Sequence, residues 1–245
     1  MTLQVTSVEV VQAYIDRIQE VNPLLNALVK DRFSFAIQEA ARADKLIEEE
    51  NGGEDVLRSR FPLLGVPLSV KESFALQGMP NSSGLKSRRK VLASVDAPPV
   101  ALLKRAGAIP LGVTNTSELC MWMESSNHLY GITSNPYDLE RMCGGSSGGE
   151  GSIIGGGASV IGIGSDIGGS IRMPCFFNGI FGHKPSKGIL NILGLPVTQC
   201  PLGLSKERLP LGVQVVAGKL QDHLPLAVAL YLEKTFGGWV DPGMA

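Results

Sequence analysis

A serine in a glycine-rich turn is the first candidate for chemistry. Ser170 follows Gly168 and Gly169. A glycine turn exposes backbone N–H groups, and a helix that begins there adds a dipole that favours negative charge. Acyl transfer needs this combination, because a hydroxyl attacks the carbonyl while donors stabilise the oxyanion. The same residues also fit a helix N-cap serine with a purely structural role.

A serine nucleophile requires a base, and the sequence offers an unusual one. The chain has three histidines, and none lies in a triad motif. Lys71 follows the apolar segment 65–70, and burial there would favour its neutral amine. An exposed lysine at the end of a strand fits the same pattern.

A pair of serines flanked by glycines could relay a proton. Ser146 and Ser147 lie within the run 144–149, whose glycines permit unusual backbone geometry. A phosphate cradle or a flexible loop are the alternatives, although neither G-x-x-x-x-G-K-[ST] nor G-x-G-x-x-G occurs. The run also satisfies G-x-S-x-G, but the nucleophile elbow of α/β-hydrolases follows a hydrophobic strand, and residues 137–143 are polar.

Together these segments resemble the amidase signature family. Residues 144–151 and 162–174 resemble its signature, and the Lys71 segment resembles its lysine block. Within the family, segments 78–85, 118–122 and 177–186 are most similar to fatty-acid amide hydrolases. The resemblance implies an α/β fold with a mixed β-sheet core covered by helices, and hydrolysis of carboxylic amides, including fatty-acid amides, without a cofactor or metal.

The resemblance also implies a role for each matching residue. Ser170 would be the nucleophile that forms an acyl-enzyme, and Ser146, after a cis peptide, would pass its proton to a neutral Lys71. The oxyanion would bind the backbone N–H groups of Ile167, Gly168, Gly169 and Ser170. Three further residues would support the site: Ser147, Asp166 and Arg172.

The resemblance covers two blocks of one amidase-type domain that spans residues 1–245. The blocks run from about Thr6 to Lys187 and from about Asn191 to Pro242, and the family has a long central segment between them. We therefore expect an internal deletion and an incomplete fold, from a splice form or an incomplete gene model. The alternative function is a catalytically inactive truncated form that acts as a binding or regulatory partner, or that does not fold alone.

Alternating short strands and helices must position these residues. The capping box Thr6–Glu9 begins a helix that Pro23 would stop. The remaining expected elements are helices over 32–50 (ended by Gly52-Gly53), 97–106, 148–159, 168–175 and 222–236 (capped by Asp222), strands over 62–70, 109–113, 160–163 and 211–216, and a polar loop over 134–143 with an Asn-Pro turn.

Composition limits the class of protein. The 245 residues suit one large α/β domain, and a net charge of −1 without a basic face argues against nucleic-acid binding. The four cysteines lack C-x-x-C spacing and predict free thiols. No signal peptide is visible, and the most apolar stretch, 153–163, is shorter than a span of about 20 residues. These features predict an intracellular protein, and the resemblance implies a small acyl amide as its substrate. A peripheral membrane contact and a homodimer remain open, and the resemblance suggests membrane or lipid-droplet association for the full-length form.

Overall fold

The computed structural model describes residues 5–49, 54–186 and 194–244. Its helices are α1 (Ser7–Leu25), α2 (Phe33–Glu49), α3 (Glu54–Arg60), α4 (Pro98–Arg105), α5 (Gly148–Gly155), α6 (Arg172–Phe177) and α7 (His223–Phe236). Its strands are β1 (Leu28–Asp31), β2 (Pro67–Lys71), β3 (Ile109–Thr114), β4 (Ser126–Asn127), β5 (Gly131–Ile132), β6 (Ser134–Asn135), β7 (Asp138–Met142), β8 (Ile161–Ile163), β9 (Gly182–Lys184), β10 (Val197–Leu204) and β11 (Pro210–Val216).

A four-stranded sheet positions the lysine. Its order is β1-β3-β2-β8, in which β1 pairs antiparallel with β3 and the other pairs are parallel. Every residue of β2 and β3 is buried, as is usual for central parallel strands with both faces covered. Lys71 ends β2 opposite Thr114 of β3. The predicted mixed sheet covered by helices is confirmed, and the strand that carries Lys71 begins at Pro67 because residues 62–65 form a turn.

Helix α1 covers one part of this sheet. Its N-terminus has the predicted capping box between Thr6 and Glu9, and its apolar side packs with α2, β1 and β3. The prediction that Pro23 stops the helix is wrong, since α1 continues to Leu25. It ends where Asn26 adopts the left-handed conformation, a common helix terminus.

Two predicted segments differ from the structure. The expected polar loop over 134–143 is a hairpin of β6 and β7 around the Asn135-Pro136 turn, and β7 pairs with β6 alone among the described strands. The helix expected from Gly168 begins at Arg172, so Ser170 lies in the turn that precedes it. The predicted end of the second helix at Gly52-Gly53 lies outside the described residues.

The carboxy-terminal elements form a separate antiparallel sheet, β11-β10-β9, which packs against α6 and α7. The strand predicted over 211–216 and the helix over 222–236 are confirmed within one residue. Asp222 is the N-cap residue of α7 as predicted, but its side chain does not cap the helix, because the carboxylate accepts hydrogen bonds from Ser186 and also contacts His183. The predicted junction between Lys187 and Asn191 lies outside the described residues.

Candidate active site

Lys71 is the largest fully buried side chain among the described residues. Its side chain is 0% exposed, and its Nζ lies 2.7 Å from Ser146 Oγ and 2.9 Å from Ser165 Oγ. Burial lowers the pKa of Lys71, whereas the charges of Cys120, Glu150 and Asp166 act to raise it. Burial therefore favours the neutral form of the Lys71 amine, which lies within hydrogen-bond distance of Ser146.

Neighbouring residues hold Ser146 through its backbone carbonyl. The Gly145–Ser146 peptide is cis, as the resemblance implies, and the Ser146 carbonyl accepts hydrogen bonds from Thr116 Oγ1 at 2.9 Å and Ser125 Oγ at 3.3 Å. A Cβ at position 145 would crowd the backbone of residues 122–124, so glycine is required there by close approach. These contacts aim the Ser146 hydroxyl at Lys71.

The turn that carries Ser170 is built around one carboxylate. Asp166 accepts hydrogen bonds from the backbone N–H groups of Gly169, Ile171 and Arg172 and forms a two-pronged ion pair with the Arg172 guanidinium, with both contacts at 2.8 Å. Burial acts to raise the pKa of Asp166, but the hydrogen bonds from Arg172 and from the backbone lower it below its usual value. The carboxylate therefore fixes the shape of the turn.

The two loops that carry the serines meet through the backbone. The N–H of Ser147 donates to the carbonyl of Ser170 at 3.1 Å, while Ser147 Oγ and Ser165 exchange weaker contacts at 3.3 Å. Within the described ranges, no hydrogen bond joins the Ser170 and Ser146 hydroxyls. The structure thus joins Lys71 to Ser146 directly and brings the Ser170 loop beside them without the second hydroxyl contact.

The predicted oxyanion donors fall into two groups. The N–H of Gly169 donates to Asp166 at 2.8 Å and is therefore occupied. In the part of the chain that the structure describes, the N–H groups of Ile167, Gly168 and Ser170 have no hydrogen-bond partner. Three of the four predicted donors remain available to a bound oxyanion.

Several residues around Lys71 were not predicted from the sequence. Ser165 contacts its amine, Thr116 holds Ser146, and Cys120 and Glu150 influence its charge. Ser165 and Glu150 lie inside the signature segments, but adjacency to glycines does not tell which side chains face the lysine. No signal in the sequence connects Thr116 or Cys120 to the site.

The histidines lie apart from the serines. His183 contacts Thr198 Oγ1 at 2.8 Å and Asp222 Oδ1 at 3.3 Å, and neither partner belongs to the glycine turns. No hydrogen bond among the described residues connects a histidine to Ser146 or Ser170. The polar strand β7 before Ser146 also lies outside the four-stranded sheet, so the nucleophile-elbow alternative has neither its strand nor its base.

This geometry agrees with comparisons to known proteins. The Amidase family model matches residues 9–190. The chain belongs to the amidase family. It is 46% identical to fatty-acid amide hydrolase 2-B of Danio rerio over 465 aligned positions, covering 98% of this chain and 88% of the relative. It is 80% identical to fatty-acid amide hydrolase 2-A of the same organism over 188 residues, covering 77% of this chain and 35% of the relative.

A solved structure supports the fold. A bacterial aryl acylamidase of the amidase signature enzymes matches with a TM-score of 0.68 at 29% identity, over 75% of this chain and 37% of the acylamidase. Family membership agrees with the predicted enzyme class, the amidases. The likeness to fatty-acid amide hydrolase 2 proteins confirms the narrower resemblance.

The chain is short beside these relatives. The alignment with the 2-B protein extends over 465 positions, whereas the chain has 245 residues, so at least 220 aligned positions have no counterpart here. These positions fall within the aligned span. None of the helices in the described part of the chain combines the length and apolar character needed to cross a membrane.

Proposed function

We propose that this chain is a serine amidase that cleaves acyl amides through an acyl-enzyme on Ser170. The observation that carries the proposal is the fully buried contact of 2.7 Å between Lys71 Nζ and Ser146 Oγ, beside the Ser170 turn. A buried lysine with a lowered pKa can serve as the general base in place of a histidine. The activity and substrates of the longer relatives enter here only as part of this proposal.

The proton route follows from these contacts. The neutral amine of Lys71 accepts the proton of Ser146, which takes the proton of Ser170 as Ser170 Oγ bonds to the substrate carbonyl carbon. This step requires Ser170 Oγ to reach Ser146 when substrate is bound, since catalytic hydrogen bonds often tighten only then. The negative oxygen of the intermediate binds the free N–H groups of Ile167, Gly168 and Ser170.

Two further steps complete the reaction. The carbon–nitrogen bond breaks as the proton returns from Lys71 through Ser146 to the leaving amine. Water then attacks the Ser170 ester, gives its proton to the same relay, and releases the carboxylic acid while Ser170 recovers its proton. Lys71 ends each cycle neutral, so no cofactor is needed to balance the step.

The surface beside the site favours an apolar acyl group. Met121, Trp122 and Met123 are 79%, 64% and 55% exposed, and the backbone of this segment packs against Gly145. Exposed apolar side chains in a run mark a binding surface more often than single ones do. Together with the names of the relatives, these residues support fatty-acid amides as substrates.

A fluorophosphonate probe tests the nucleophile. We expect the probe to label the protein, and Ser170→Ala to abolish labelling because the attacked oxygen is gone. Ser159→Ala is the matched control, since Ser159 is a buried serine whose hydroxyl donates to the Ile161 carbonyl. Labelling that survives Ser170→Ala would overturn the assignment, and hydrolysis of decanoyl p-nitroanilide measures turnover in parallel.

A second candidate is a catalytically inactive form with a binding or regulatory role. It is favoured by the missing hydroxyl contact between Ser146 and Ser170 and by the exposure of Ile167 in the turn. We infer that the two blocks of one domain meet at an internal deletion, which would remove cover from this turn. A cooperative thermal transition without probe labelling supports this candidate, whereas labelling with turnover rejects it.

A further inference from the structure

A second carboxylate besides Asp166 is buried against β2, the strand that carries Lys71. Glu150, in the first turn of α5, is 5% exposed. Its Oε2 accepts a hydrogen bond from Ser69 Oγ at 2.6 Å, and its Oε1 accepts one from Thr114 Oγ1 at 2.6 Å. Ser69 precedes Lys71 by two residues on the same face of β2, and Thr114 is the register partner of Lys71 in β3. The two anchors of Glu150 therefore flank the lysine.

The neighbouring strand seals this carboxylate from solvent. A Cβ at Gly162 of β8 would overlap Glu150 Oε2, so β8 can lie against the carboxylate only with glycine at that position. Within the described residues, no lysine, arginine or histidine forms a direct ion pair with Glu150. Both Glu150 and Lys71 are buried, so the charge of Glu150 acts on Lys71 through the protein interior, where charge interactions are stronger than in water.

We propose that Glu150 is a positioning residue whose charge, fixed by Ser69 and Thr114, sets the proton affinity of Lys71. This inference rests on the proposed role of Lys71 as the base. Nothing in the proton route requires Glu150 to touch substrate, and its effect passes through the lysine alone.

The titrating groups around the pair give the direction of the effect. Burial raises the pKa of Glu150 to about 7, while hydrogen bonds from Ser69 and Thr114 and the charge of Lys71 act to lower it. Burial lowers the pKa of Lys71, and Cys120, Glu150 and Asp166 act to raise it; Arg172 is paired with Asp166. An ionised Glu150 holds the proton on Lys71, so removing that charge should make the amine neutral at lower pH.

The pH dependence of fluorophosphonate labelling tests the proposal. The labelling rate of the unmodified chain should fall on the acidic side as Lys71 takes up its proton. In Glu150→Gln we expect this acidic limb to move about one pH unit toward lower pH, as expected for loss of a nearby opposite charge. A residue that only supports the fold would reduce the rate at every pH without moving the limb. Glu150→Asp keeps the charge and should return the limb toward its original position.

Glu72→Gln is the matched control, because Glu72 is a buried carboxylate next to Lys71 whose hydrogen-bond partners are Ser82, Ser83 and Tyr130. The acidic limb of the labelling profile of Glu72→Gln should not move. An unmoved limb in Glu150→Gln, or a shift toward higher pH, would overturn the inference while labelling of the unmodified chain still supports the base.

A second variant covers a failure of Glu150→Gln to fold. Thr114→Val removes one anchor of the carboxylate with little change of shape and should move the limb in the same direction by a smaller amount. If Glu150→Gln does not fold, an unmoved limb in Thr114→Val overturns the inference. If the unmodified chain itself does not label at any pH, the proposed function fails first, and the inference fails with it.

Discussion

The two halves of the candidate site are supported in different ways. The half that holds Lys71 and Ser146 is enclosed by the central strands and by α5, and both side chains are fully buried. The half that holds Ser170 is a turn shaped by Asp166 and Arg172, with Ile167 at its edge 48% exposed to solvent. The proton-transfer half is thus a product of core packing, whereas the nucleophile half depends mainly on the hydrogen bonds and the ion pair of one carboxylate, Asp166.

This difference shows which half of the site depends more on the positions that the shortened chain lacks. The residues around the lysine all lie in the range that the family model matches, and their contacts are internal to it. The Ser170 turn lies in the same range but has one open side, and at least 220 aligned positions of a longer relative are missing from the chain. Loss of cover should therefore affect the nucleophile more than its base.

Lys71→Ala should have the largest effect and tests the enclosed half. We expect the rate of fluorophosphonate labelling at neutral pH to fall about 10³-fold, the size typical of removing a general base. Lys104→Ala is the control, because Lys104 lies at the surface in an ion pair with Asp96. Equal labelling rates for the two variants would show that another group activates the serine.

Local patterns in the sequence singled out the candidate residues of both halves, whereas the geometry of these residues depends on tertiary contacts. The glycine motif and the apolar segment before Lys71 predict the strand, the buried amine and the two serines, because each has a local signature. The start of α6 at Arg172 depends instead on a tertiary contact: the Asp166 carboxylate accepts the Arg172 N–H, which a helix from Gly168 would direct to the Gly168 carbonyl. Glu150 and Thr116 reach the site only through tertiary packing, which no local pattern records.

Asp166→Asn should have the next largest effect and tests the open half. Removing one partner of this pair leaves Arg172 without its counter-charge, so we expect a loss of about 3 kcal/mol in the free energy of unfolding. The looser turn should lower probe labelling about a hundredfold. Since the pKa of Asp166 is lowered in the folded protein, its contribution is present above its ordinary pKa of 3.8 and is lost as pH falls further.

Asp138→Asn provides the comparison for this prediction. Asp138 pairs with Arg141 on the exposed hairpin, where an ion pair contributes at most about 1 kcal/mol. Urea denaturation at neutral pH measures both variants. If the two substitutions cost the same, Asp166 does not hold the turn, and the contrast between the halves disappears.

Ile167→Ala should have the smallest effect on stability and separates exposure from function. Because about half of this side chain already contacts solvent, we expect a change within about 0.5 kcal/mol, as for ordinary surface substitutions. Val70→Ala, one residue before the lysine and 0% exposed, should cost about 2 kcal/mol through loss of buried volume. A cost for Ile167→Ala that equals that of Val70→Ala would mean that the turn is covered in solution, and the Ser170 half would then be as enclosed as the lysine half.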